Sequence, residues 1–290
     1  MTYEEISFKI PIESSDYLNC SEFVINSVEE IIKDSIKNGM NKIIINTNLK
    51  KGLPMENINK IAGPFVEAWA QEIFNFVLED ENNKYNLVSV EDGERLNMAD
   101  VILQFKRVKK STFQPSVITG NIDVKATSED IEGSGKSPNI TSFKRIRNAY
   151  IEDPDYIFII LSLKHKVYSE RNYKTNTLDG VMEVVNFHAY DLKLISEKDI
   201  SYNPALGTGQ LQVRDIHYVD IVKKYRNCWE FCQILDKKFI SSKKGFLVWF
   251  RLDIENELIK NIDNFYTFFI EENLESKPEW KSLAKRNGWL

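Results

Sequence analysis

The segment of this sequence best equipped for chemistry is Asn121-Ile122-Asp123-Val124-Lys125-Ala126-Thr127. Asp123 and Lys125 lie two residues apart in a run that we predict to be a strand, so both side chains point to the same face. Ile122 and Val124 then point to the opposite face, into the core. A carboxylate can hold a hard divalent cation, and a neighbouring lysine can orient or polarise a water molecule. The pair therefore has the residue types of a metal-assisted hydrolytic site.

The acid-x-lysine triplet is weak when taken alone, and a surface ion pair is then its plainer interpretation. The chain has four other such triplets, Asp191-Leu-Lys193, Asp236-Lys-Lys238, Glu275-Ser-Lys277 and Glu279-Trp-Lys281. Two more acidic residues favour the interpretation of Asp123-Val124-Lys125 as a metal site. Asp100 stands on the preceding predicted strand, between a small residue and an apolar run. Glu67 interrupts an apolar helix among small or apolar neighbours, although Glu72 on the same helix is a rival.

The elements that must position these residues follow from the spacing of apolar side chains. Helices are predicted at 21–38, 61–79, 140–150, 220–235 and 255–271, strands at 85–90, 99–105, 117–126, 156–163 and 181–191, and a loop at 203–212. From 61 to 163 the order is helix, three strands, helix, strand. That order predicts an α/β protein with a mixed sheet. No internal repeat or linker divides the chain, so we expect a single domain over 1–290.

The bulk composition narrows the functional classes. A chain of 290 residues, 42% of them hydrophobic, can bury a sizeable core, and its longest apolar runs (43–45 and 156–161) are far too short to cross a bilayer. The first residues do not resemble a secretory signal, and three cysteines suit reduced thiols, so we expect a cytoplasmic protein without a membrane partner. Cys228 and Cys232 lack the further ligands of a zinc site. The net charge of −5 argues against indiscriminate coating of nucleic acid but leaves room for one basic cleft.

The four chemically placed residues resemble the active site of the PD-(D/E)xK nucleases, and in particular of type II restriction endonucleases. Glu67 lies on a helix, Asp100 on a strand, and Asp123-Val124-Lys125 on the next strand. Ala99-Asp100 stands where that family often has Pro-Asp. The resemblance covers about the middle third of the chain, where the αβββαβ core of the family matches 61–163. It implies a restriction-endonuclease-like fold with a central mixed sheet flanked by helices and with N- and C-terminal helical additions.

The resemblance also implies a mechanism and partners. In this family the two aspartates and the carbonyl after the second one bind Mg²⁺, which here would be Asp100, Asp123 and the Val124 carbonyl. Glu67 would be an outer or second-metal acid, and Lys125 would position the attacking water. The products would carry 5′-phosphate and 3′-hydroxyl ends. Double-stranded DNA would be the substrate, a homodimer would match two-fold symmetric sites, and a cognate DNA methyltransferase would be a functional partner, with no contact implied.

Residues that follow the triplet are suited to holding DNA. Hydroxyl, amide and basic groups near a helix start are usual phosphate contacts, and 137–139 is typical of such a start. The expected contacts here are Thr127, Lys136, Ser137, Asn139, Thr141, Ser142, Lys144, Arg145 and Arg147. A second set, Gln210, Gln212 and Arg214, follows two glycines and could contact base edges or backbone, whereas the plainer alternative is a turn joined to a surface strand. We expect the part of the chain from about 180 to 290 to serve recognition and dimerisation.

Two alternatives to a restriction enzyme stay open at this point. One is a repair or recombination nuclease with the same site. The other is a non-catalytic DNA-binding protein whose acidic cluster is structural. Such a binding protein would be indifferent to Mg²⁺ and to loss of Lys125, whereas either nuclease would not.

Overall fold

The structure is a computed structural model, and it describes residues 11–93, 98–108, 115–129, 139–203, 209–213 and 222–240. The helices are α1 (Tyr17–Lys37), α2 (Met55–Glu79), α3 (Phe143–Glu152) and α4 (Cys228–Ile240). The strands are β1 (Lys42–Ile45), β2 (Leu87–Asp92), β3 (Val101–Val108), β4 (Pro115–Ser128), β5 (Asn139–Ser142), β6 (Phe158–Asn172), β7 (Thr177–Asp191), β8 (Ile200–Asn203) and β9 (Gln210–Val213). None of the helices in these ranges is long and apolar enough to cross a membrane.

The main sheet has six strands in the order β1-β7-β6-β4-β3-β2. Strands β4 and β6 are parallel, and the other neighbouring pairs are antiparallel. The predicted mixed sheet is therefore confirmed. Strand β3 pairs with β4 only as far as Val101 opposite Ile122, whereas β4 continues along β6 to Ser128. This leaves a notch beside the second half of β4.

Helices α1 and α2 cover one face of the main sheet. Their apolar stripes bury Val24, Val28, Val66 and Phe74 completely, together with Val124 of β4. Each such side chain contributes about 1.5–3 kcal/mol relative to an exposed one. Helix α1 ends where the sequence predicted, because Gly39 adopts a left-handed φ of 74° and its N–H donates to Ile36 O at 3.0 Å.

A second layer covers part of the other face. It consists of α3, α4 and a small sheet in the order β5-β9-β8. Phe158 and Ile160 of β6 pack there against Phe143 and Ile146 of α3 and Phe231 of α4. The main sheet therefore lies between two layers, and the notch opens on the side of the second layer.

Several predicted boundaries need correction. The helix predicted at 140–150 begins at Phe143, because the preceding residues form β5 and hydrogen-bond to β9. Its N-cap is Ser142, whose side chain accepts from the Arg145 N–H, so the helix start predicted at 137–139 is wrong. Strand β1 was not predicted from its four residues, which need β7 as a partner.

The other differences lie at the ends of elements. Helix α2 begins at Met55 rather than at 61 and contains Pro64, and α4 begins at Cys228 rather than at 220. Part of the loop predicted at 203–212 is β9. The helix predicted at 255–271 and the Gly/Ser segment 133–138 fall outside the described residues.

Candidate active site

Strand β4 separates its side chains as the alternation predicts. Ile122 and Val124 are fully buried in the core beneath α1 and α2. Asp123 and Lys125 lie on the opposite face, where their β6 neighbours are Ile160 and Ser162. The candidate carboxylate and lysine are therefore held on one face by a strand that both of its flanking layers fix in place.

Asp100 closes the notch between β3 and β4. Its own N–H donates to Ile122 O at 2.9 Å, which continues the ladder one step beyond Val101. The next N–H on that edge of β4 belongs to Val124, and it has no β3 backbone partner. The Asp100 carboxylate takes its place, accepting from Val124 N at 2.7 Å through Oδ2. This contact pins the Asp100 side chain against the backbone between Asp123 and Lys125.

Asp123 and Lys125 form a close pair with little solvent access. Lys125 Nζ donates to Asp123 Oδ1 at 2.7 Å and also lies 3.3 Å from Val124 O. Burial raises the pKa of Asp123 to about 8, with the Lys125 ammonium opposing the shift and Asp100 adding to it. Burial by itself would lower the pKa of Lys125, but Asp123, Asp100 and Glu67 raise it overall, so the ammonium keeps its proton.

The pairing with Lys125 leaves the second carboxylate oxygen of Asp123 without a hydrogen bond. Asp123 Oδ2 is buried and has no hydrogen-bond partner, which is costly for a carboxylate. In the described part of the chain, no three Asp, Glu, His or Cys side chains stand close enough to hold a metal ion by themselves. The donors that fit a hard cation are instead two carboxylates, Asp123 and Asp100, and the Val124 carbonyl on the same strand edge.

Glu67 is the helix acid that lies within electrostatic reach of this group. It is half-buried on α2, and its pKa is raised first by burial and then by Asp100, while Lys125 opposes the shift. The rival Glu72 is exposed. The structure therefore brings together the four residues that the sequence singled out, three carboxylates beside one ammonium.

Most of the predicted DNA contacts within the described residues lie on the small sheet and the start of α3, and one lies at the end of β4. Asn139 and Gln212 face each other across β5 and β9, and Gln212 Nε2 donates to Asn139 Oδ1 at 2.9 Å. Gln210 lies opposite Ser142, next to exposed Arg145. Thr127 is half-buried at the end of β4, and Thr141 is buried in β5.

One predicted contact is turned inward, and others lie outside the described residues. Arg147 is only 1% exposed, on the same face of α3 as Phe143, Ile146 and Tyr150, so its guanidinium is not presented at the surface. Lys136, Ser137 and Arg214 are outside the described residues, as is the side chain of Lys144.

Sequence reasoning missed the residues that hold Asp100 from behind. The Gly93 N–H donates to Asp100 O at 2.8 Å. A Cβ at Gly93 would lie closer than 3.0 Å to Ala99 O and 2.9 Å from Asp100 O, so only glycine leaves room for this approach. Just before it, Asp92 accepts a hydrogen bond from Gln71, one turn beyond Glu67 on α2. The glycine was visible in the sequence, but its closeness to Asp100 depends on the β2-β3 pairing.

The chain is similar to several known proteins. The family model "Type II restriction endonuclease HpaI" matches residues 4–257. The type II restriction enzyme HpaI of Haemophilus parainfluenzae is 58% identical over 235 residues, which are 81% of this chain and 89% of that protein. Among solved structures, the NlaIV restriction endonuclease is 12% identical, with a TM-score of 0.38 over 70% of this chain and 77% of the other. The family match and the HpaI identity assign the chain to the type II restriction endonuclease HpaI family, as a site-specific deoxyribonuclease that acts on double-stranded DNA.

Proposed function

We propose that Asp100, Asp123 and Lys125 are the catalytic group of this restriction endonuclease, with Glu67 as a supporting acid. We also propose that Mg²⁺ is the divalent metal that such enzymes generally need. The observation that carries the proposal is the buried, unpartnered Oδ2 of Asp123, beside the Asp100 carboxylate in the notch of the sheet. Two carboxylates and a carbonyl around one point are the hard oxygen donors that Mg²⁺ prefers.

Bound there, Mg²⁺ would supply electrostatic stabilisation of the charge that develops on the phosphate and the departing oxygen. Asp123 and Asp100 hold that position, and the Val124 carbonyl completes it. Within the described residues, Glu67 makes no hydrogen bond to either aspartate. It acts on them through its charge, as an outer ligand or as the acid of a second cation.

Lys125 is placed to handle the attacking water. Its contact with Asp123 Oδ1 uses one of its three N–H donors, and another approaches Val124 O, so the ammonium is fixed beside the cation position. Lys125 orients the water for in-line attack. The water oxygen bonds to phosphorus and gives up a proton to solvent, the bond from phosphorus to the 3′ oxygen breaks, and that oxygen takes up a proton from solvent. The products therefore carry 5′-phosphate and 3′-hydroxyl ends.

The surface formed by the small sheet and the start of α3 is our candidate for contact with DNA near the cut. Asn139 and Gln212 present a joined pair of amides at an exposed edge, and such amides hydrogen-bond base edges. Arg145 and the Ser142 cap lie at the N-terminus of α3, where phosphates bind favourably. The other predicted contacts, Lys136, Ser137, Thr127, Thr141, Lys144, Gln210 and Arg214, remain part of the same proposal. Arg147 does not, because it is buried on the inner face of α3.

We further propose that residues 61–163 are the catalytic core and that about 180–290 add recognition and dimerisation parts. A homodimer suits a two-fold symmetric DNA site. A cognate methyltransferase would protect the same sites from cleavage. The cytoplasm is the compartment in which the enzyme would meet both its DNA substrate and the methyltransferase.

Cleavage of long, sequence-diverse DNA tests the proposal. With Mg²⁺, the wild type should give discrete bands, and these should disappear with EDTA and in Asp123→Asn. The matched control, Asp80→Asn, changes an exposed aspartate at the end of α2 and should cleave normally. The products should be rejoined by DNA ligase without prior phosphorylation, because ligation requires 5′-phosphate and 3′-hydroxyl ends. A folded Asp123→Asn variant that gives the wild-type bands at the wild-type rate would refute the assignment.

A further inference from the structure

One end of the main sheet carries a cluster of cations on a chain that is acidic overall. The cluster comprises 46–53, which join β1 to α2, and 171–178, which form the tip of the β6-β7 hairpin; we call it the basic end. These sixteen residues include Lys50, Lys51, Arg171 and Lys174 and no Asp or Glu, whereas the whole chain has a net charge of −5. All four cations are exposed. A local charge of +4 against that background attracts a polyanion.

The two segments of the basic end touch through Leu178. Leu178 N–H donates to Leu49 O at 3.5 Å, and Gly52, with a left-handed φ of 67°, approaches so closely that a Cβ there would lie 2.9 Å from Leu178 Cβ. Arg171 pairs with Leu178 across the hairpin. The lysines of one segment and the arginine of the other therefore share one surface.

The acids that flank the basic end are already engaged. Glu170 forms an ion pair with Lys42 at 3.2 Å. Asp179 is only 8% exposed and accepts a hydrogen bond from Asn172 Nδ2 at 2.9 Å. Neither carboxylate forms an ion pair with any of the four cations of the basic end, so the positive charge of those cations faces solvent.

The hairpin tip is also ordered by its own hydrogen bonds. Asn172 Oδ1 accepts from the N–H groups of Lys174 at 3.1 Å and Thr175 at 3.3 Å, and Arg171 Nη2 donates to Asn176 Oδ1 at 2.9 Å. Tyr173 is 86% exposed, and the Arg171 guanidinium carbon lies over its ring, 5.8 Å from the ring centroid. A surface that is ordered before binding loses little conformational entropy when it binds a ligand.

The register of β6 places the tip at a defined distance from the candidate active site. Lys125 lies beside Ser162, and Asn172 is ten residues further along β6. At about 3.3 Å per residue, the tip lies on the order of 33 Å beyond Lys125, past the end of β4. A duplex that ran along β6 would rise 3.4 Å per base pair, so it would reach the basic end about ten base pairs from the cut.

We propose that the basic end binds backbone phosphates of the DNA duplex flanking the cut site, about ten base pairs from the cut. The distance rests on the proposed catalytic position of Lys125. The contact is to phosphates rather than bases, so it is independent of the flanking sequence and dependent on salt.

Binding of duplexes of two lengths tests this inference. Both contain one cleavage site mapped for the wild type, with about 3 or about 15 flanking base pairs on each side. Dissociation constants are measured by fluorescence anisotropy with Ca²⁺ in place of Mg²⁺, over a range of salt concentrations. The test variant replaces Lys50, Lys51, Arg171 and Lys174 by alanine, and the matched control replaces the exposed Lys33, Lys37, Lys60 and Lys84 by alanine. A third variant carries Lys50→Arg, Lys51→Arg and Lys174→Arg and therefore keeps the charge.

The wild type, the control and the arginine variant should bind the long duplex at least tenfold more tightly than the short one. The alanine variant should lose this gain, and its salt slope on the long duplex should fall by up to about 3.6, at about 0.9 per phosphate contact. Retention of the length-dependent gain by the alanine variant would overturn the inference, as would an equal loss of affinity for both lengths. Cleavage of the short duplex by the wild type reports separately on the catalytic group, so failure of that proposal would be seen independently.

Discussion

Substitution of Gly93 by alanine should damage catalysis without contacting the substrate. The new Cβ would lie closer than 3.0 Å to Ala99 O and 2.9 Å from Asp100 O, and both are backbone atoms that cannot rotate away. Asp100 is otherwise fixed by its N–H bond to Ile122 O at 2.9 Å and by the Val124 N–H at 2.7 Å. Relief of the clash therefore requires a shift on the order of 1 Å in the segment that carries Asp100.

A misplacement of that size at a catalytic group costs up to about 100-fold in rate, equivalent to about 2.7 kcal/mol in the barrier. Overpacking should also lower the free energy of unfolding by about 1–3 kcal/mol. We expect Gly93→Ala to reduce kcat about 100-fold while KM for DNA stays within a few-fold of wild type, because the DNA contacts lie elsewhere.

Steady-state cleavage at 25 °C measures kcat and KM, and thermal unfolding shows that the variant is folded under the conditions of the assay. The control is Gly63→Ala, since a Cβ at Gly63 has no atom within 4 Å. It should cleave as the wild type does. A folded Gly93→Ala variant with kcat within threefold of wild type would refute the idea that the Gly93 turn positions Asp100.

Three further outcomes follow from other contacts. Tyr17→Phe removes the hydroxyl that donates to buried Asp191 at 2.8 Å, and urea unfolding should show a loss of about 1.5–3 kcal/mol; no loss would contradict the contact. Glu67→Gln should weaken activity or apparent metal affinity about 10–100-fold in a metal titration of cleavage, whereas Glu72→Gln should not, and equal effects would remove Glu67 from the site. Hydrogen bonds from Lys84 and Tyr85 lower the pKa of Asp34. The stability that Asp34→Asn loses should therefore be present above the unfolded pKa of about 3.9 and should vanish as the pH falls through the lower folded pKa. Urea unfolding of both proteins at several pH values measures this difference, and a difference that does not change with pH would contradict it.

The sequence predicted those parts of the fold that local periodicity encodes. Helix α1, strand β4 and the shared face of Asp123 and Lys125 follow from apolar spacing alone, and the structure agrees. The match to the HpaI family decides for a restriction enzyme over the repair nuclease and the non-catalytic binding protein.

The features that the sequence did not reveal depend on contacts between distant segments. Strand β1 is four residues long and forms only against β7, and β5 forms only against β9. The contact between the Asp100 carboxylate and Val124 N exists because the pairing of β3 with β4 stops at Val101 opposite Ile122, which leaves Val124 N without a backbone partner on β3. No local pattern encodes that stop.

The inward position of Arg147 was, by contrast, predictable. It stands four residues after Phe143 and three before Tyr150, which is the spacing of the buried face of α3. A basic residue type suggested DNA contact, but the helical spacing indicated burial. Residue type and periodicity have to be considered together when a surface is predicted.

In the proposed mechanism, Lys125 acts in the chemical step at a site built by Asp100 and Asp123. The most direct test of this role is single-turnover cleavage of a mapped DNA site in Mg²⁺ by wild type, Lys125→Ala and the exposed control Lys37→Ala, with DNA binding measured alongside in Ca²⁺. We expect Lys125→Ala to cleave at least about 100-fold more slowly while it binds the site within about threefold of wild type, and the control to match the wild type in both. A folded Lys125→Ala variant that cleaves within about threefold of the wild-type rate would contradict the account.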